Sequence, residues 1–405
     1  MSISQSVRDL AEKYRSYTAE NLSKLVRVKS YSSKEEDVCR LVAELCKEAG
    51  FDEVRFDGLG SVIGRVGNGP KSIAFDGHVD TVEVGNLDNW DFDPFCGTIK
   101  DGLVYGRGTS DQKGGAAAMI TAGRILKELG YGGQYTVYFT FTVMEEDCDG
   151  MCWKYLIEEE NFRTDLVVST EPTSCRLYRG HRGRMEMRVI IKGISCHGSA
   201  PERGVSASYK ASRAALAIEK LNEDLLPDDE KFLGKGTITV SQMDVRGPSQ
   251  CAVSDYAMLY LDRRLTWGED ADLAISQVRE YVSKAIGEDD FIVEMPNYEK
   301  IGWTNKEYSQ ELYFPTWKID ADHDLVTSGV AAHEALLGKE PVVDRWVFST
   351  NCVATTGRHK IPAIGFGPGD EAQAHAPNEI TRVEDLVICS AFYALLPYSL
   401  DKTAL

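Results

Sequence analysis

Residues 184–193, RMEMRVIIKG, begin the stretch of sequence that decides the fold. The segment predicts a strand, and five more predicted elements follow it along the chain. They are a helix over 207–225, strands over 236–245 and 255–265, a helix over 270–286 and a strand over 290–295. This β-α-β-β-α-β order is typical of the ferredoxin-like arrangement, which closes on itself as one four-stranded sheet with two helices. A self-contained unit at this place predicts an insertion into a larger domain.

The sequence on both sides of the insertion predicts that larger domain. Short β-like runs, such as TVYFTFTV at 136–143, alternate with helical segments, which favours an α/β core. The pattern resumes after the insertion, where IPAIGFG at 361–367 completes the sheet. We therefore expect an α/β domain formed by residues 1–183 and 299–405, with an α+β domain inserted at 184–298.

Two helices of the larger domain have readable patterns. Ser33 followed by Glu36 indicates a capping box that opens a helix through residues 35–50, and Gly50 stands at the C′ position. The segment GGAAAMITAGRILKELG at 114–130 predicts a buried helix, because it is small and apolar on several faces.

The composition argues against nucleic acids and membranes as partners. Lys and Arg number 45 against 63 Asp and Glu, a net charge of −18 that repels polyanions, and the sequence has no basic cluster. Hydrophobic residues make up 43% and charged residues 27%, as in soluble globular proteins. The first residues lack an apolar signal segment and no apolar run reaches roughly 18 residues. We therefore expect a cytoplasmic protein.

The ten cysteines are scattered without a CxxC pair, which favours free thiols over a disulfide framework. Cys148 and Cys152 are the two closest and flank an acidic motif. Thiolates do bind zinc. We nevertheless expect the ligands to be the carboxylates and histidines nearby, which already form a full set.

Two motifs place a histidine or carboxylate where metal chemistry could use it. FDGHVDTV at 75–82 ends an apolar strand in His78 and Asp80, and an acid two residues away can hold the second ring nitrogen of a metal-binding histidine. GRGTSDQKGG at 106–115 places Asp111 among glycines, where a carboxylate could bridge two cations. Taken alone, the first motif is more often an ordinary histidine with an acid nearby, and the second is more often a turn with a capping aspartate.

Three further motifs add carboxylates and a histidine. TFTVMEEDCDG at 140–150 runs a strand into Glu145 and Glu146, whose crowding favours a neutralising metal and a free base, although a solvated acidic turn is the alternative. VVSTEPTS delivers Glu171 at a strand end, and GDEAQAHAPNE places His375 in a loop after a strand. Because ligands bind beyond the carboxyl ends of strands in open α/β sheets, the motifs together predict a binuclear site, for which zinc is a natural occupant.

In combination and in order, these motifs resemble the zinc-dependent peptidase family that contains acetylornithine deacetylase, succinyl-diaminopimelate desuccinylase and glutamate carboxypeptidase. The resemblance covers essentially the whole chain. Within the family, the chain is similar to a subgroup labelled selenium-metabolism-linked hydrolases, a label that states an association rather than a substrate. The resemblance implies a mixed-sheet catalytic domain with a binuclear zinc centre and an inserted ferredoxin-like lid that forms a homodimer.

The resemblance also implies the metal ligands. His78 and His375 would be terminal ligands of separate zinc ions, and Asp111 would bridge the two. Glu146 would complete the His78 site and Glu171 the His375 site. Two ions are expected per chain, and cobalt or manganese could replace zinc.

Catalytic roles are implied in the same way. Glu145 would be the general base and Asp80 would orient the histidine before it. In GISCHGSAP, His197 would reach the partner subunit's active site and hold the reacting carbonyl oxygen. In LDRRL, Arg264 would grip a substrate carboxylate, with a salt bridge on the strand face as the alternative.

One segment departs from the family pattern. Deacylases of the family often carry a Gly/Ser-rich turn with an aspartate before a late Gly-Arg pair, and here the segment is STNCVATTGR at 349–358. Asn351, Thr355 and Thr356 are therefore the candidates for substrate contacts in this turn. No role can be assigned to the remaining histidines, His181, His323, His333 and His359.

These expectations define a function and its rivals. We expect hydrolysis of the amide bond of small N-acyl amino acids by metal-activated water. Within the family, glutamate at the Glu171 position is typical of deacylases and carboxypeptidases, aspartate of dipeptidases and histidine of carbamoyl hydrolases. The alternatives are a dipeptidase or carboxypeptidase, an N-carbamoyl amidohydrolase, and a metal-dependent binding protein without turnover.

Overall fold

The computed structural model describes residues 2–227, 231–287, 289 and 291–402. The helices are α1 Ile3–Lys13, α2 Arg15–Arg27, α3 Glu36–Glu48, α4 Lys113–Glu128, α5 Met151–Glu158, α6 Ala207–Asp224, α7 Ala271–Ile286, α8 Asp324–Leu337 and α9 Val383–Leu400. The strands are β1 Glu53–Phe56, β2 Val62–Val66, β3 Lys71–His78, β4 Ile99–Lys100, β5 Leu103–Tyr105, β6 Tyr135–Thr142, β7 Leu166–Ser169, β8 Leu177–His181, β9 Gly183–Lys192, β10 Thr237–Arg246, β11 Tyr256–Leu265, β12 Phe291–Glu294, β13 Asn297–Tyr298, β14 Gln310–Glu311, β15 Tyr313–Phe314, β16 Trp317–Lys318, β17 Val343–Trp346, β18 Ala363–Gly365 and β19 Ile380–Arg382.

A nine-stranded mixed sheet forms the larger layer. Its order is β1-β2-β6-β3-β7-β18-β8-β16, and β17 pairs with β8. The four inner strands β6, β3, β7 and β18 are parallel, whereas the remaining neighbours along this order are antiparallel. β3 is buried along its last six residues, as expected for a parallel strand that helices cover on both faces. The predicted mixed α/β fold is confirmed.

Helix α9 is the most apolar element on this sheet. By length and composition alone it could cross a membrane, although 78% of the relevant window is buried inside the protein. It packs against α1, α2, α4 and α8, so tertiary packing accounts for its apolar surface. In the sequence this stretch does not stand out as one long apolar run, because Glu384 and Asp385 in its first turn interrupt it.

The smaller sheet has the predicted ferredoxin-like topology. Its order is β10-β11-β9-β12, with α6 and α7 packed on one face. Burial alternates along β9, as expected when one face packs on helices and the other faces solvent. Asp290, the first residue of the last predicted strand, lies outside the described residues.

One strand of this sheet was not predicted. β15 pairs with Arg184 and Met185 at the start of β9, because β12 covers only the later residues from Arg188 to Ile191. The sheet therefore has five strands instead of four. The domain boundaries at 183/184 and 298/299 stay a prediction.

The expected capping box at α3 was wrong. Glu35 occupies the N-cap and makes no side-chain capping bond. Ser33 has a positive φ of 72° and its backbone N–H donates to Glu35. The expected helix end is correct, since Gly50 adopts a φ of 84° after the last turn.

Candidate metal centre

The four inner strands of the large sheet each lead to one part of the centre. β3 ends at His78, Glu145 follows β6, Glu171 follows β7, and the loop after β18 carries His375. Because these strands are parallel, their carboxyl ends meet at one edge of the sheet. The topology therefore brings together side chains that are far apart in sequence.

His78 is the most buried member of the centre, with 1% of its surface exposed. Its Nδ1 lies 2.9 Å from the backbone carbonyl oxygen of Asp80 and its Nε2 lies 3.0 Å from Asp111 Oδ1. The carboxylates of Glu145 and Glu171 each lie 3.7 Å from the same Nε2. The ligand atoms of His78, Glu145 and Glu171 lie within 4.8 Å of one another, as do those of His78, Asp111 and Glu146, so each group could hold a metal ion.

His375 faces the centre from its solvent side. Its Nε2 lies 2.8 Å from Glu146 Oε2 and 3.6 Å from Asp111 Oδ2. The two oxygens of Asp111 thus face one histidine each, as a bridging carboxylate requires. The side chain of His375 is 58% exposed, so the centre is open to solvent at this histidine.

The nearest contacts pair the glutamates with the histidines differently from the expectation. Glu146 lies beside His375, and Glu171 lies beside His78. His78, Asp111 and Glu146 also form one of the two groups of possible ligands, so the division of the ligands between two cations stays a prediction. The pairing depends on how the loops after β6 and β7 bend, so the order of residues along the chain does not determine it.

The charges of the centre require a counter-ion. Burial raises the pKa of Glu145 and Glu171 well above ordinary values; the charge of His78 opposes this shift, whereas neighbouring carboxylates add to it. Burial, followed by the charge of Asp111, raises the pKa of Glu146 to about 7. For Asp111 burial is again the largest effect, but the hydrogen bond to His78 and the charges of His78, His375 and Arg107 together outweigh it and hold the pKa below its ordinary value. Four carboxylates and two imidazoles in this arrangement fit a pair of divalent cations.

Asp80 connects the two halves of the centre. Its carboxylate lies 3.5 Å from His78 Nδ1 and accepts hydrogen bonds from the backbone N–H groups of Glu145 and Glu146, at 3.2 and 3.1 Å. Ser32 donates a further hydrogen bond to it at 2.7 Å. Asp80 thereby fixes the histidine and the glutamate turn relative to each other.

Glu379 and Arg107 support the centre and were missed in the sequence. Buried Glu379 accepts hydrogen bonds from Arg107 Nη1 at 2.8 Å and from the backbone N–H of Gly108, Ser110 and Asp111 at 2.7–2.9 Å. The carboxylate therefore holds the loop that presents Asp111. Arg107 lies in the motif GRGTSDQKGG, and Glu379 is the last residue of GDEAQAHAPNE. An acidic residue shortly after His375 was the signal that could have identified Glu379.

A cavity of about 290 Å³ opens onto the centre. Arg184, Arg264, Phe348 and Ser349 also line this cavity. Arg264 forms a bidentate ion pair with Asp262 at 2.8 and 2.9 Å. This is the salt bridge on the strand face that was the alternative to a substrate contact. The same side chain also lines the cavity. Arg184 lies directly opposite Arg264 across β9 and β11 and contacts Asp149 at 3.1 Å.

The three candidates in the 349–358 turn do not line this cavity. The side-chain amide of Asn351 is buried and donates to Asp76 and Thr142, both at 3.0 Å. Thr355 is fully buried, and the Thr356 hydroxyl donates to the carbonyl of Ile361 at 2.7 Å. Asn351 lies just before the π-helix Val353–Arg358, and Thr355 and Thr356 lie within it. Ser349, at the start of the turn, is the residue that reaches the cavity.

His197 lies away from the metal centre of its own chain. It is exposed, its Nδ1 lies 2.8 Å from the Ser199 hydroxyl, and it lines a separate groove with Tyr209 and Cys251. Cys148 and Cys152 are buried thiols outside both metal-binding groups. His181 is fully buried, with its imidazole between Trp317 and Trp346.

The fold and the centre define a class of protein. The profile of Peptidase family M20/M25/M40 matches residues 74–398, and the chain belongs to this family. It is therefore a metal-binding hydrolase of the metallopeptidase type.

Particular relatives extend over nearly the whole chain. The uncharacterized protein YgeY of Escherichia coli K12 is 49% identical over 393 residues, covering 96% of both chains. A probable succinyl-diaminopimelate desuccinylase of Staphylococcus aureus Mu50 is 32% identical and covers 93% of this chain and 97% of its own length. Among solved structures, the Bacillus subtilis YXEP protein, described as a dinuclear metal-binding peptidase, superposes with a TM-score of 0.70 at 14% identity, covering 97% of this chain and 99% of its own. At that identity the likeness shows the fold alone.

Proposed function

We propose that the chain is a binuclear zinc hydrolase that cleaves the amide bond of small N-acyl amino acids. The observation that carries the proposal is one cavity lined by two contrasting kinds of group. The carboxylate–imidazole cluster lines it, and so does the guanidinium of Arg264. A scissile carbonyl and a carboxylate of one small molecule could contact the two together. The desuccinylase relative and the dinuclear Bacillus protein support the proposal by analogy.

We assign the two cation sites to the groups in contact. Asp111 would be shared, His78 and Glu171 would complete one site, and Glu146 and His375 the other. Zinc suits nitrogen and oxygen ligands, and cobalt or manganese could substitute. Elemental analysis of the zinc-saturated protein should give two ions per chain. A stoichiometry clearly below two would contradict the assignment.

When bound, the cations would polarise the scissile carbonyl and make the attacking water more acidic. Glu145 accepts a proton from that water while the water oxygen bonds to the carbonyl carbon. It then gives the proton to the leaving nitrogen as the carbon–nitrogen bond breaks. Arg264 holds the substrate carboxylate through planar, charge-assisted hydrogen bonds.

We also propose a cytoplasmic homodimer that joins through the lid sheet. The exposed His197 does not line the cavity of its own chain, and the partner subunit's His197 would donate a hydrogen bond to the carbonyl oxygen. Mixing His197→Ala chains with Glu145→Gln chains should restore part of the activity, because one of the composite sites is then intact. A verified mixed dimer without activity would reject this role.

A substrate panel tests the reaction itself. N-acetyl and N-succinyl amino acids should be cleaved faster than dipeptides and N-carbamoyl amino acids, and faster than their carboxyl-amidated or esterified analogues. Cleavage of N-carbamoyl compounds alone would refute the deacylase assignment. A zinc-loaded protein that turns over nothing in the panel would favour the binding protein.

A further inference from the structure

Cys175 and Cys389 are free thiols whose sulfur atoms contact each other. The two sulfur atoms lie 3.7 Å apart, although the residues are 214 positions apart in the chain. Cys175 lies in the loop after β7, and Cys389 lies in α9. Because a disulfide bond is about 2.05 Å long, the two sulfur atoms would have to approach each other by roughly 1.7 Å to form one. A small movement of one backbone segment is therefore enough for oxidation of the pair.

The two thiols differ in their access to solvent. Cys389 is fully buried, and burial, followed by the hydrogen bond and the charge of Cys175, raises the pKa of Cys389 well above its ordinary value. Cys175 is only partly buried, so an oxidant from solvent reaches its sulfur first. An accessible thiol beside a second thiol that can resolve its oxidised form is the arrangement typical of redox sensors.

The loop that carries Cys175 is the segment expected to move. Ser174 and Cys175 have positive φ values of 53° and 57°, a conformation that residues other than glycine seldom adopt. Helix α9, in contrast, packs against α1, α2, α4 and α8. The Tyr393 hydroxyl also ties this helix to the carbonyl of Phe366 at 2.7 Å. Closing a disulfide should therefore pull the loop toward the helix.

The same loop is connected to two of the expected metal ligands. Glu171 lies four residues before Cys175. Backbone N–H groups of the loop donate to the carbonyls of Gly367 and Gly369, at 3.0 and 2.8 Å. These two glycines belong to the segment that leads from β18 to His375. A shift of the loop is therefore transmitted to Glu171 and to the segment before His375.

We infer that Cys175 and Cys389 form a reversible disulfide that lowers the activity of the enzyme by displacing Glu171 from the metal centre. Hydrogen peroxide is the oxidant. The Cys175 thiolate attacks one peroxide oxygen and breaks the oxygen–oxygen bond, which gives a sulfenic acid and hydroxide. The Cys389 sulfur then attacks the sulfenic sulfur, and the hydroxyl group leaves with the thiol proton as water. Two thiols and one peroxide thus become one disulfide and two water molecules.

The inference rests on the proposed metal-dependent hydrolysis, and it adds a redox control to it. Peroxide treatment of the wild type should join the tryptic peptides that contain Cys175 and Cys389, which mass spectrometry without reductant detects. The Kd for zinc, measured by competition with a chelator, should rise on the order of 10- to 100-fold, as when groups that support metal ligands are removed. The kcat of the zinc-loaded protein should fall, and a phosphine reductant should restore both values.

Three variants locate the effect. Cys175→Ser and Cys389→Ala should keep the activity of the reduced wild type and should resist both changes. Cys175→Ser, which alters a partly exposed loop, keeps the test valid if the core variant does not fold. Cys96→Ser is the matched control, because it removes a partly buried thiol that faces the Tyr105 carbonyl at 3.6 Å. This variant should respond to peroxide as the wild type does.

The separate measurements distinguish the possible outcomes. A disulfide that weakens zinc binding in a protein that hydrolyses no amide would refute the proposed reaction and support the redox control. Absence of the joined peptides would overturn the inference. So would a disulfide that changes neither the Kd for zinc nor kcat. Equal inactivation of the wild type and Cys175→Ser by peroxide would place the effect at another site and would also overturn the inference.

Discussion

Glu379 and Glu171 are both buried glutamates at the metal centre, but the groups that surround them differ. Glu379 accepts four hydrogen bonds, one of them from the Arg107 guanidinium. Glu171 accepts none from the described residues, and it lies 3.7 Å from the imidazole of His78. A buried carboxylate that the protein satisfies maintains structure, whereas one that it leaves unsatisfied implies a ligand from outside.

The largest effect on activity is expected at Glu145, which like Glu171 is a buried carboxylate without a hydrogen-bond donor among the described residues. Glu145→Gln keeps the shape of the side chain but cannot accept a proton. We expect kcat to fall on the order of 10²- to 10⁴-fold while the zinc content stays at the wild-type value. Steady-state kinetics and elemental analysis on the same preparation check both parts. A kcat close to wild type would remove Glu145 from the mechanism.

The comparison itself is tested by substituting both glutamates. Glu379→Gln breaks the buried pair with Arg107 and should cost about 3–5 kcal/mol of unfolding free energy, with or without metal. Glu171→Gln removes a repulsive charge, so the chelated protein should be at least as stable as wild type, and only the metal-loaded form should lose stability. Urea unfolding with and without chelator measures both. Equal destabilisation of the two chelated variants would refute the distinction.

The same contrast holds for two buried histidines. Both ring nitrogens of His181 form hydrogen bonds within the protein, whereas the ring of His78 faces carboxylates. His181 Nδ1 donates to the Arg182 carbonyl at 2.9 Å, and Nε2 accepts from Thr350 N–H at 3.1 Å. Burial lowers the pKa of His181 from 6.5 to about 4.

Between these two pKa values, the unfolded chain binds a proton that the folded chain does not. The stabilisation from neutral His181 is therefore present above pH 6.5 and is lost as the pH falls toward 4. It should decrease by about 2 kcal/mol between pH 7 and pH 5. His181→Gln should show a correspondingly smaller loss in urea unfolding at the two pH values. The same pH dependence in the variant would contradict the assignment.

The smallest effect is expected when either of two adjacent arginines on opposite faces of β11 is replaced by lysine. Arg264 lines the cavity, whereas Arg263 is buried on the other face and pairs with Glu269 at 2.7 Å. Arg264→Lys should raise KM for free-acid substrates about tenfold, because lysine cannot make two parallel hydrogen bonds. Arg263→Lys is the control and should lower stability without changing KM. If carboxyl-blocked substrates are cleaved as fast as free acids, Arg264 is not the anchor.

The sequence predicted those parts of the molecule that depend on local pattern and strand order. The family, the mixed α/β fold and the order of the inserted sheet were confirmed. The structure brings His78, Asp111, Glu146, Glu171 and His375 together. Strand ends hold most of these ligands, and parallel strands bring their ends to one edge regardless of loop details.

The sequence is less informative where loop geometry decides. Which glutamate contacts which histidine depends on how the loops bend, and sequence order does not encode this. Asn351 lies in the turn expected to contact substrate, but its side-chain amide donates to Asp76 and Thr142 in the interior. Glu379 was overlooked since its role depends on Arg107, which lies 272 residues away in the chain.

The place of β18 in the large sheet has a consequence for synthesis on the ribosome. This strand is made late, yet it lies between β7 and β8, which are made much earlier. Strands β9, β10, β11 and β12 of the small sheet are complete about seventy residues before it. A nascent chain can therefore finish the small sheet while β7 and β8 still have open edges, which other chains can pair with. Crowding of ribosomes on one message should thus promote misassembly through the large sheet and spare the small one.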